Sequence, residues 1–186
     1  MTTLDPITAL IVIDLQKGIV GMPTAHPAAD IVARAAELAR AFRRHRLPVV
    51  LVNVTGGAPG RAEQARSTAG RPADWTELVP ELDRQPTDHA ETKRTWGAFT
   101  NTGLREYLEK RGVTQVVIAG ISTSFGVEST ARFAHELGYN VVLAVDAMTD
   151  ASLEAHTNSI TRIFPRLGET GTTAEIIRLL DDTHRQ

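Results

Sequence analysis

Residues 115–150 read QVVIAGISTSFGVESTARFAHELGYNVVLAVDAMTD, which is the pattern of a strand, a helix and a second strand. Apolar residues run from Val116 to Ala119, a turn rich in Gly, Ser and Thr follows, and Gly138 ends an amphipathic helix before a second apolar run. This pattern predicts a βαβ unit with parallel strands. The turn after such a strand brings free N–H groups to the carboxyl edge of the sheet, where ligands bind. We therefore expect the chemistry near residues 122–127.

The rest of the chain continues the alternation of strands and helices. Further strands are predicted at Thr8–Asp14, Val49–Val54 and His89–Lys93, and further helices at Ala28–Arg46, Gly103–Arg111, Ala151–Phe164 and Thr173–Asp181. The predicted fold class is α/β, a three-layer α/β/α Rossmann-like sandwich with a mostly parallel sheet. Residues 55–74 are rich in Gly, Ala and Arg and are predicted to form a loop, for which a lid over the site is one interpretation.

Length and composition exclude several classes of protein. The 186 residues are 42% hydrophobic, so the chain can bury a full core as a single domain, residues 1–186. A net charge of −2 provides no basic excess for binding nucleic acid. The N-terminal apolar run is too short for a signal peptide or a membrane span, which predicts a cytoplasmic protein with no membrane partner.

Cysteine is absent from the sequence. This excludes disulfides and thiolate metal sites, and it removes the commonest catalytic nucleophile. The six histidines show no metal-site spacing, and no Gly-x-Gly-x-x-Gly motif occurs. We therefore predict no metal and no cofactor.

Asp14 and Lys93 each end a predicted strand and are the first candidates for chemistry. Burial raises the pKa of such a carboxyl group, while a nearby ammonium lowers it, so Lys93 is a plausible partner for Asp14. The opposing interpretation is that Asp14 caps the next turn and Lys93 is a solvated surface residue.

Hydroxyl side chains crowd the start of the central helix at Ser122, Thr123 and Ser124. A hydroxyl nucleophile needs a base, and the sequence places no histidine beside them. Helix capping is the stronger interpretation, with Ser124 as the predicted cap there and Thr102 as the predicted cap of the preceding helix.

These segments together resemble the isochorismatase-like (cysteine hydrolase) superfamily over essentially the whole chain. Its A-L-x-x-x-D-x-Q pattern corresponds to Ala9 to Gln16, and its lysine before a small-Ala-Phe motif corresponds to Lys93 with Gly97, Ala98 and Phe99. The pattern G-V-x-T-x-x-C-V-x-x-T-A, G-Y and D-A is matched by Gly120, Ile121, Thr123, Val127, Thr130, Ala131, Gly138, Tyr139, Asp146 and Ala147. The resemblance implies a small-molecule substrate and a homodimer or homotetramer.

The chain departs from this pattern at the nucleophile, because Gly126 stands where the amidase members have cysteine. The resemblance therefore does not carry their covalent mechanism to this chain. Another branch of the family, the isochorismatases proper, is similar in having glycine there. Its members hydrolyse a vinyl ether, which calls for an acid and not a nucleophilic side chain.

By this resemblance Asp14 is the expected acid, and Lys93 orients Asp14 or holds a substrate carboxylate. The resemblance also implies a cis peptide bond between Ile121 and Ser122 and an anionic oxygen bound by N–H groups near Phe125 to Val127. The expected substrate-binding residues are Gln16, Trp96, Phe99, Ile121, Ser122, Ser124, Phe125 and Val127.

Three functions remain open at this point. The leading prediction is acid-catalysed hydrolysis of a vinyl ether such as isochorismate, or of a similar small carboxylate, giving pyruvate and a dihydrodiol acid. The second is a non-catalytic member of the fold that binds a metabolite or a protein. The third is amide hydrolysis by an activated water or by Ser124.

Overall fold

Six parallel strands form one sheet in the order β3-β2-β1-β4-β5-β6. The computed structural model describes residue 1 and residues 3–64 and 70–184. The strands are β1 (Thr8–Ile13), β2 (Val49–Val54), β3 (His89–Lys93), β4 (Gln115–Ile121), β5 (Asn140–Thr149) and β6 (Glu169–Gly171). All the strand pairs are parallel, which confirms the predicted α/β class.

Helices cover both faces of this sheet. They are α1 (Lys17–Val20), α2 (Ala28–Arg44), α3 (Leu104–Lys110), α4 (Glu128–Glu136), α5 (Leu153–Asn158), α6 (Phe164–Leu167) and α7 (Thr173–Thr183). A 3₁₀ turn spans Pro80–Leu82, and π turns span Thr123–Val127 and Ser159–Ile163.

Strand β1 shows how the sheet separates two apolar cores. Leu10 and Val12 face the core that α2 and α7 cover, while Ile11 and Ile13 face the core under α3, α4 and α6. Successive side chains of a strand point to opposite faces, so a strand buried on both faces is apolar throughout. This produces the three layers that the sequence predicts.

The structure corrects several local predictions. Residues 17–20, predicted as loop, form α1, and the three-residue strand β6 was not predicted. The helix predicted from Ala151 to Phe164 is divided into α5, a π turn and α6, because Pro165 in the first turn of α6 has no N–H for a helical hydrogen bond. Residues 65–69 of the predicted loop, and with them part of the lid interpretation, lie outside the described residues.

Neither predicted cap is present. Thr102 donates its hydroxyl to the carbonyl of Ala98 and does not cap α3, which begins after Gly103. Ser124 lies inside the π turn that precedes α4, so it does not stand at the start of that helix. Gly112, with φ +66, does follow α3 as the sequence predicts.

The order of the strands positions the functional site. The chain passes from β1 outward to β2 and β3, and then returns to place β4 on the other side of β1. The connections after β1 and β4 therefore leave the sheet in opposite directions, and ligands bind in the crevice that opens at such a switch point. The residues beside this crevice are Asp14, directly after β1, and the turn 122–127, directly after β4.

Gly120 allows β4 to lie against β1 at this point. Its φ is +121, and a Cβ there would lie 2.1 Å from the carbonyl oxygen of Ile13. Both the backbone conformation and the close approach exclude a side chain.

We expect Gly120→Ala to lower the free energy of unfolding by about 3 kcal/mol or more, because it adds backbone strain and a backbone clash. Urea denaturation measures the change. Gly57→Ala is the matched control, since a Cβ there meets no atom of the described residues within 4 Å, and its expected effect is within about 0.5 kcal/mol. Equal losses in the two variants would contradict the role assigned to Gly120.

Candidate active site

A buried ion pair lies at the carboxyl edge of the sheet. The Nζ atom of Lys93, the last residue of β3, donates to Oδ2 of Asp14 at 2.7 Å. The side chain of Lys93 spans the end of β2, because β2 lies between β1 and β3. Both residues are buried, with exposed fractions of 5% for Asp14 and 2% for Lys93. The structure thus supports pairing of the two residues and contradicts the interpretation of Lys93 as a solvated surface residue.

The pKa of Asp14 is governed by two opposing effects. Burial raises it, because desolvation disfavours the charged form, and the charge and hydrogen bond of Lys93 lower it. Burial is the larger effect and raises the pKa of Asp14 to about 6. A carboxyl group in this range exchanges its proton near neutral pH, as a general acid or base requires.

The second carboxyl oxygen of Asp14, Oδ1, differs from Oδ2 in its surroundings. Among the described residues, Oδ1 is buried without a hydrogen-bond partner. Buried carboxyl oxygens are nearly always paired, so an unpaired one points to a functional site. Asp14 also has a φ of +52, a conformation that residues other than glycine adopt uncommonly and that is found at active sites.

The turn 122–127 faces Asp14 from the end of β4. The peptide bond between Ile121 and Ser122 is cis, as the family resemblance implies. Within the turn, a Cβ built on Gly126 would lie 3.3 Å from Oδ2 of Asp14 and 2.8 Å from the Cγ2 methyl of Ile13. The position that the resemblance assigns to the nucleophile is therefore adjacent to Asp14, but the Ile13 methyl group restricts the space there.

The N–H groups of this turn are largely used inside it. Phe125 and Val127 both donate to the carbonyl of Ser122, at 3.2 and 3.1 Å. This argues against the predicted anionic oxygen site for those two residues, because a donated N–H is not available to a ligand. The anionic oxygen site predicted at Gly126 stays a prediction.

Two exposed aromatic side chains stand beside this position. Trp96 is 61% exposed, and its ring meets that of Phe125, 37% exposed, edge to face at 4.9 Å. The backbone carbonyl oxygen of Trp96 lies 3.6 Å from the Cβ position of Gly126, so the backbone of Trp96 borders the crevice. The predicted residues Trp96, Phe125, Asp14, Lys93 and Gly126 are thus brought together.

Other predicted substrate-binding residues have structural contacts. The amide of Gln16 is fully buried, and its two N–H bonds go to the carbonyls of Val54 and Trp75. Phe99 stacks on Tyr139, which precedes the amino end of β5 and therefore lies toward the opposite edge of the sheet.

The remaining predicted residues lie in the turn or in the cores beneath it. Ile121 and Val127 are buried, one in each core. Ser122 supplies the carbonyl that accepts the two N–H groups of the turn, and the hydroxyl of Ser124 points to Asp150. The substrate contacts predicted for these residues stay predictions.

Two polar residues near the turn were missed from the sequence. Asp150 follows β5, and its Oδ2 accepts hydrogen bonds from the N–H and the hydroxyl of Ser124. His156 in α5 is joined to Thr123 at 2.8 Å, which corrects the expectation that no histidine lies beside these hydroxyls. Asp150 had a detectable signal, because it follows an apolar strand just as Asp14 does.

Comparison with known proteins identifies the family. Residues 8–175 match the isochorismatase domain. The uncharacterized isochorismatase family protein YwoC of Bacillus subtilis (strain 168) is 44% identical, over 91% of this chain and 92% of that protein. The chain belongs to the isochorismatase family.

Solved structures of the family have the same fold. An isochorismatase family protein from Burkholderia thailandensis superimposes with a TM-score of 0.93 and 42% identity, covering 96% of this chain and 98% of that one. N-carbamoylsarcosine amidase from Thermoplasma acidophilum aligns with a TM-score of 0.75 and 26% identity, covering 90% of this chain and 96% of that one. The protein is therefore an isochorismatase-family hydrolase whose substrate is to be inferred from its site.

Any side chain at position 126 is predicted to destabilise the protein. We expect Gly126→Ala to cost about 1–3 kcal/mol of unfolding free energy, because the new Cβ overlaps the Cγ2 methyl of Ile13. Ile13→Leu moves the branch away from that methyl position and is expected to recover part of the loss, with a coupling above about 0.5 kcal/mol in a double-mutant cycle.

Denaturation of the two single variants and the double variant measures this coupling. Gly60→Ala is the control, since a Cβ there meets no atom within 4 Å in the part of the chain that the structure describes. Strictly additive effects of Gly126→Ala and Ile13→Leu would contradict the overlap. A cysteine carries the same Cβ, so Gly126→Cys meets the same obstacle and is best combined with Ile13→Leu when amidase activity is sought.

Proposed function

We propose that this isochorismatase-family hydrolase cleaves a vinyl ether such as isochorismate by acid catalysis from Asp14, without a covalent enzyme intermediate. The observation that carries the proposal is the carboxyl group of Asp14, which is buried and has a raised pKa. Its Oδ1 has no hydrogen-bond partner among the described residues, and its Oδ2 lies 3.3 Å from the Cβ position of Gly126. A vinyl ether needs a proton donor of this kind, and it needs no nucleophilic side chain.

The reaction requires one proton donor and one water molecule. Protonated Asp14 transfers its proton to the terminal methylene carbon of the enol ether, which leaves an oxocarbenium ion. Water adds to the carbon of this ion that bears the ether oxygen, and one of its protons returns to the carboxylate of Asp14. The hemiketal then breaks the bond between its central carbon and the ether oxygen, while its hydroxyl proton passes to that oxygen, which releases pyruvate and a dihydrodiol acid that keeps the oxygen as a hydroxyl.

In this proposal Lys93 orients Asp14. Its hydrogen bonds to Oδ2 of Asp14 and to the carbonyl of Thr95 hold the ammonium group in place, so that Oδ1 is the oxygen directed to the substrate. Its charge also stabilises the carboxylate that forms after proton transfer. A substrate carboxylate bound nearby would raise the pKa of Asp14 further and favour the protonated acid.

The aromatic pair at the crevice supports a planar substrate in the same proposal. Trp96 and Phe125 present exposed ring surface beside Gly126. A cyclic carboxylate that packs against these rings would exclude bulk solvent from Asp14, leave room for the one reacting water molecule and bring its ether group to Oδ1.

Hydrolysis of an amide by a water molecule is the second candidate. It is favoured by the similarity to N-carbamoylsarcosine amidase and by the ion pair, since Lys93 promotes the ionised form of Asp14. In that case Asp14 would accept a proton from the attacking water and not donate one. A metabolite- or protein-binding member without catalysis is the third reading of the same fold.

The cellular location and the oligomeric state of the protein also stay predictions. Within residues 3–64 and 70–184, no helix is long and apolar enough to cross a membrane. The cytoplasmic location and the homodimer or homotetramer are proposals that rest on the sequence and on the family resemblance.

Pyruvate release from isochorismate tests the proposal directly. We expect the wild type to release pyruvate and Asp14→Asn to lose at least about 100-fold of that rate, because the amide cannot donate the proton. Asp74→Asn is the control, since it removes the carboxylate of an exposed lysine–aspartate pair with Lys17. Circular dichroism verifies that each variant is folded. No release from the wild type would contradict isochorismate as the substrate.

The pH profile separates the acid from the base mechanism. If Asp14 acts as the acid, kcat/KM falls about tenfold per pH unit above its pKa of about 6, because only the protonated form is active. If Asp14 acts as the base, kcat/KM rises with pH up to that value and then levels off. Rates measured from pH 4.5 to 8.5 with any accepted substrate distinguish the two, and a profile flat across this range would contradict both.

A further inference from the structure

The turn 122–127 is hydrogen-bonded to two side chains, Asp150 and His156, that the proposed reaction does not use. The N–H and the hydroxyl of Ser124 both donate to Oδ2 of Asp150, each at 2.8 Å. The hydroxyl of Thr123 is joined to Nδ1 of His156, also at 2.8 Å. Asp150 follows β5 and His156 lies in α5, so both contacts come from the segment beyond the βαβ unit.

Asp150 supplies the acceptor that the start of the turn lacks. Ser122 stands at the cap position of the π turn, and its side chain makes no capping hydrogen bond with the described residues. Asp150 is only 1% exposed, and its other oxygen accepts from the N–H of Ser152 at 3.4 Å. A buried carboxylate facing helical N–H groups makes hydrogen bonds stronger than those between neutral groups, so it holds the turn firmly.

His156 provides the second contact as a neutral ring. It is 7% exposed, and its ring centre lies 4.8 Å from that of His26, which is joined in turn to Thr149. Burial lowers the pKa of His156, the neighbouring His26 lowers it further, and Asp150 opposes this in part. A ring that stays neutral can keep its hydrogen bond to Thr123 at neutral pH.

The same turn covers the carboxyl group of Asp14 from its other side. Gly126 comes two residues after Ser124, and its Cβ position lies 3.3 Å from Oδ2 of Asp14. If the turn moved away, water would reach Asp14. Since burial is the main cause of its raised pKa, hydration would return that pKa toward the ordinary aspartate range.

We infer that Asp150 and His156 are positioning residues, which hold the turn 122–127 against Asp14 and so keep its carboxyl group in a dry, proton-donating environment. This inference rests on the proposed function, because it gives the burial of Asp14 a purpose in the reaction. That Asp150 and His156 hold the turn follows from the hydrogen bonds and does not depend on the reaction.

The test measures the pKa of Asp14 by carbon-13 NMR of the side-chain carboxyl groups, with the Asp14 signal assigned by its absence from Asp14→Asn. In Asp150→Ala we expect the midpoint at least about one pH unit below that of the wild type, because the loosened turn admits water. Thr123→Val removes the hydroxyl that His156 contacts, and we expect a smaller fall in the same direction. An unchanged midpoint in Thr123→Val would remove His156 from the inference.

Asp146→Ala is the matched control. Oδ1 of Asp146 accepts from the N–H and the hydroxyl of Thr173 at the start of α7, the same arrangement at a helix away from the site. We expect Asp146→Ala to lose stability but to leave the midpoint of Asp14 unchanged, and Asp150→Asn, which keeps an acceptor oxygen, to stay within a few tenths of a pH unit of the wild type.

If Asp150→Ala does not fold, Ser124→Ala replaces it, since that variant removes one of the two hydrogen bonds to Asp150. Wild-type midpoints in both Asp150→Ala and Ser124→Ala, or equal falls in Asp150→Ala and Asp146→Ala, would overturn the inference. The NMR titration uses no substrate, so it gives an answer even if isochorismate is not hydrolysed. If Asp150→Ala lost pyruvate release but kept the wild-type midpoint of Asp14, the inference would be contradicted and the proposed function would stay intact.

Discussion

A carboxylate and an ammonium that are both buried must stay together, and the carboxyl edge of the sheet is arranged around that requirement. Lys93 reaches Asp14 across the end of β2, since Ile13 at the end of β1 is in register with Val52 and Lys93 at the end of β3 is in register with Val54. Removing one partner of such a pair typically costs about 3–5 kcal/mol, because the other charge is left buried and alone. The pair therefore ties the position of β3 to that of β1 at the point where chemistry is proposed.

The turn 122–127 is constrained on two sides for related reasons. On one side Gly126 packs against Ile13 and Asp14 so closely that a Cβ would overlap a methyl group. On the other side Asp150 accepts the hydrogen bonds of Ser124. A site that uses a buried acid needs water to be kept out, and close packing of backbone against a carboxyl group does this without any reactive side chain. The absence of cysteine in the chain is consistent with a mechanism of this kind.

The candidate site could be predicted in part from the sequence. Asp14 and Lys93 were recognisable because each ends a strand, and parallel strands bring their carboxyl ends to one edge. Contacts made by side chains could not be predicted in the same way. Gln16 matched the family pattern as well as Asp14 did, yet its amide N–H groups are hydrogen-bonded to backbone carbonyls. Nothing in its neighbours along the chain indicates this. His156 was missed because helix spacing does not show which turn a helix residue will meet.

The sequence by itself determined the α/β class, the bounds of β2 and β3, the absence of a thiol and the presence of an acid and an amine at strand ends. These follow from local physics, since apolar runs and glycine breaks act over a few residues. Only the tertiary structure decided that Lys93 is buried against Asp14, that Oδ1 of Asp14 has no partner among the described residues, and that Asp150 holds the turn. Burial and hydrogen bonding between distant segments depend on how the strands are ordered in the sheet, and they set the pKa on which the proposed chemistry relies.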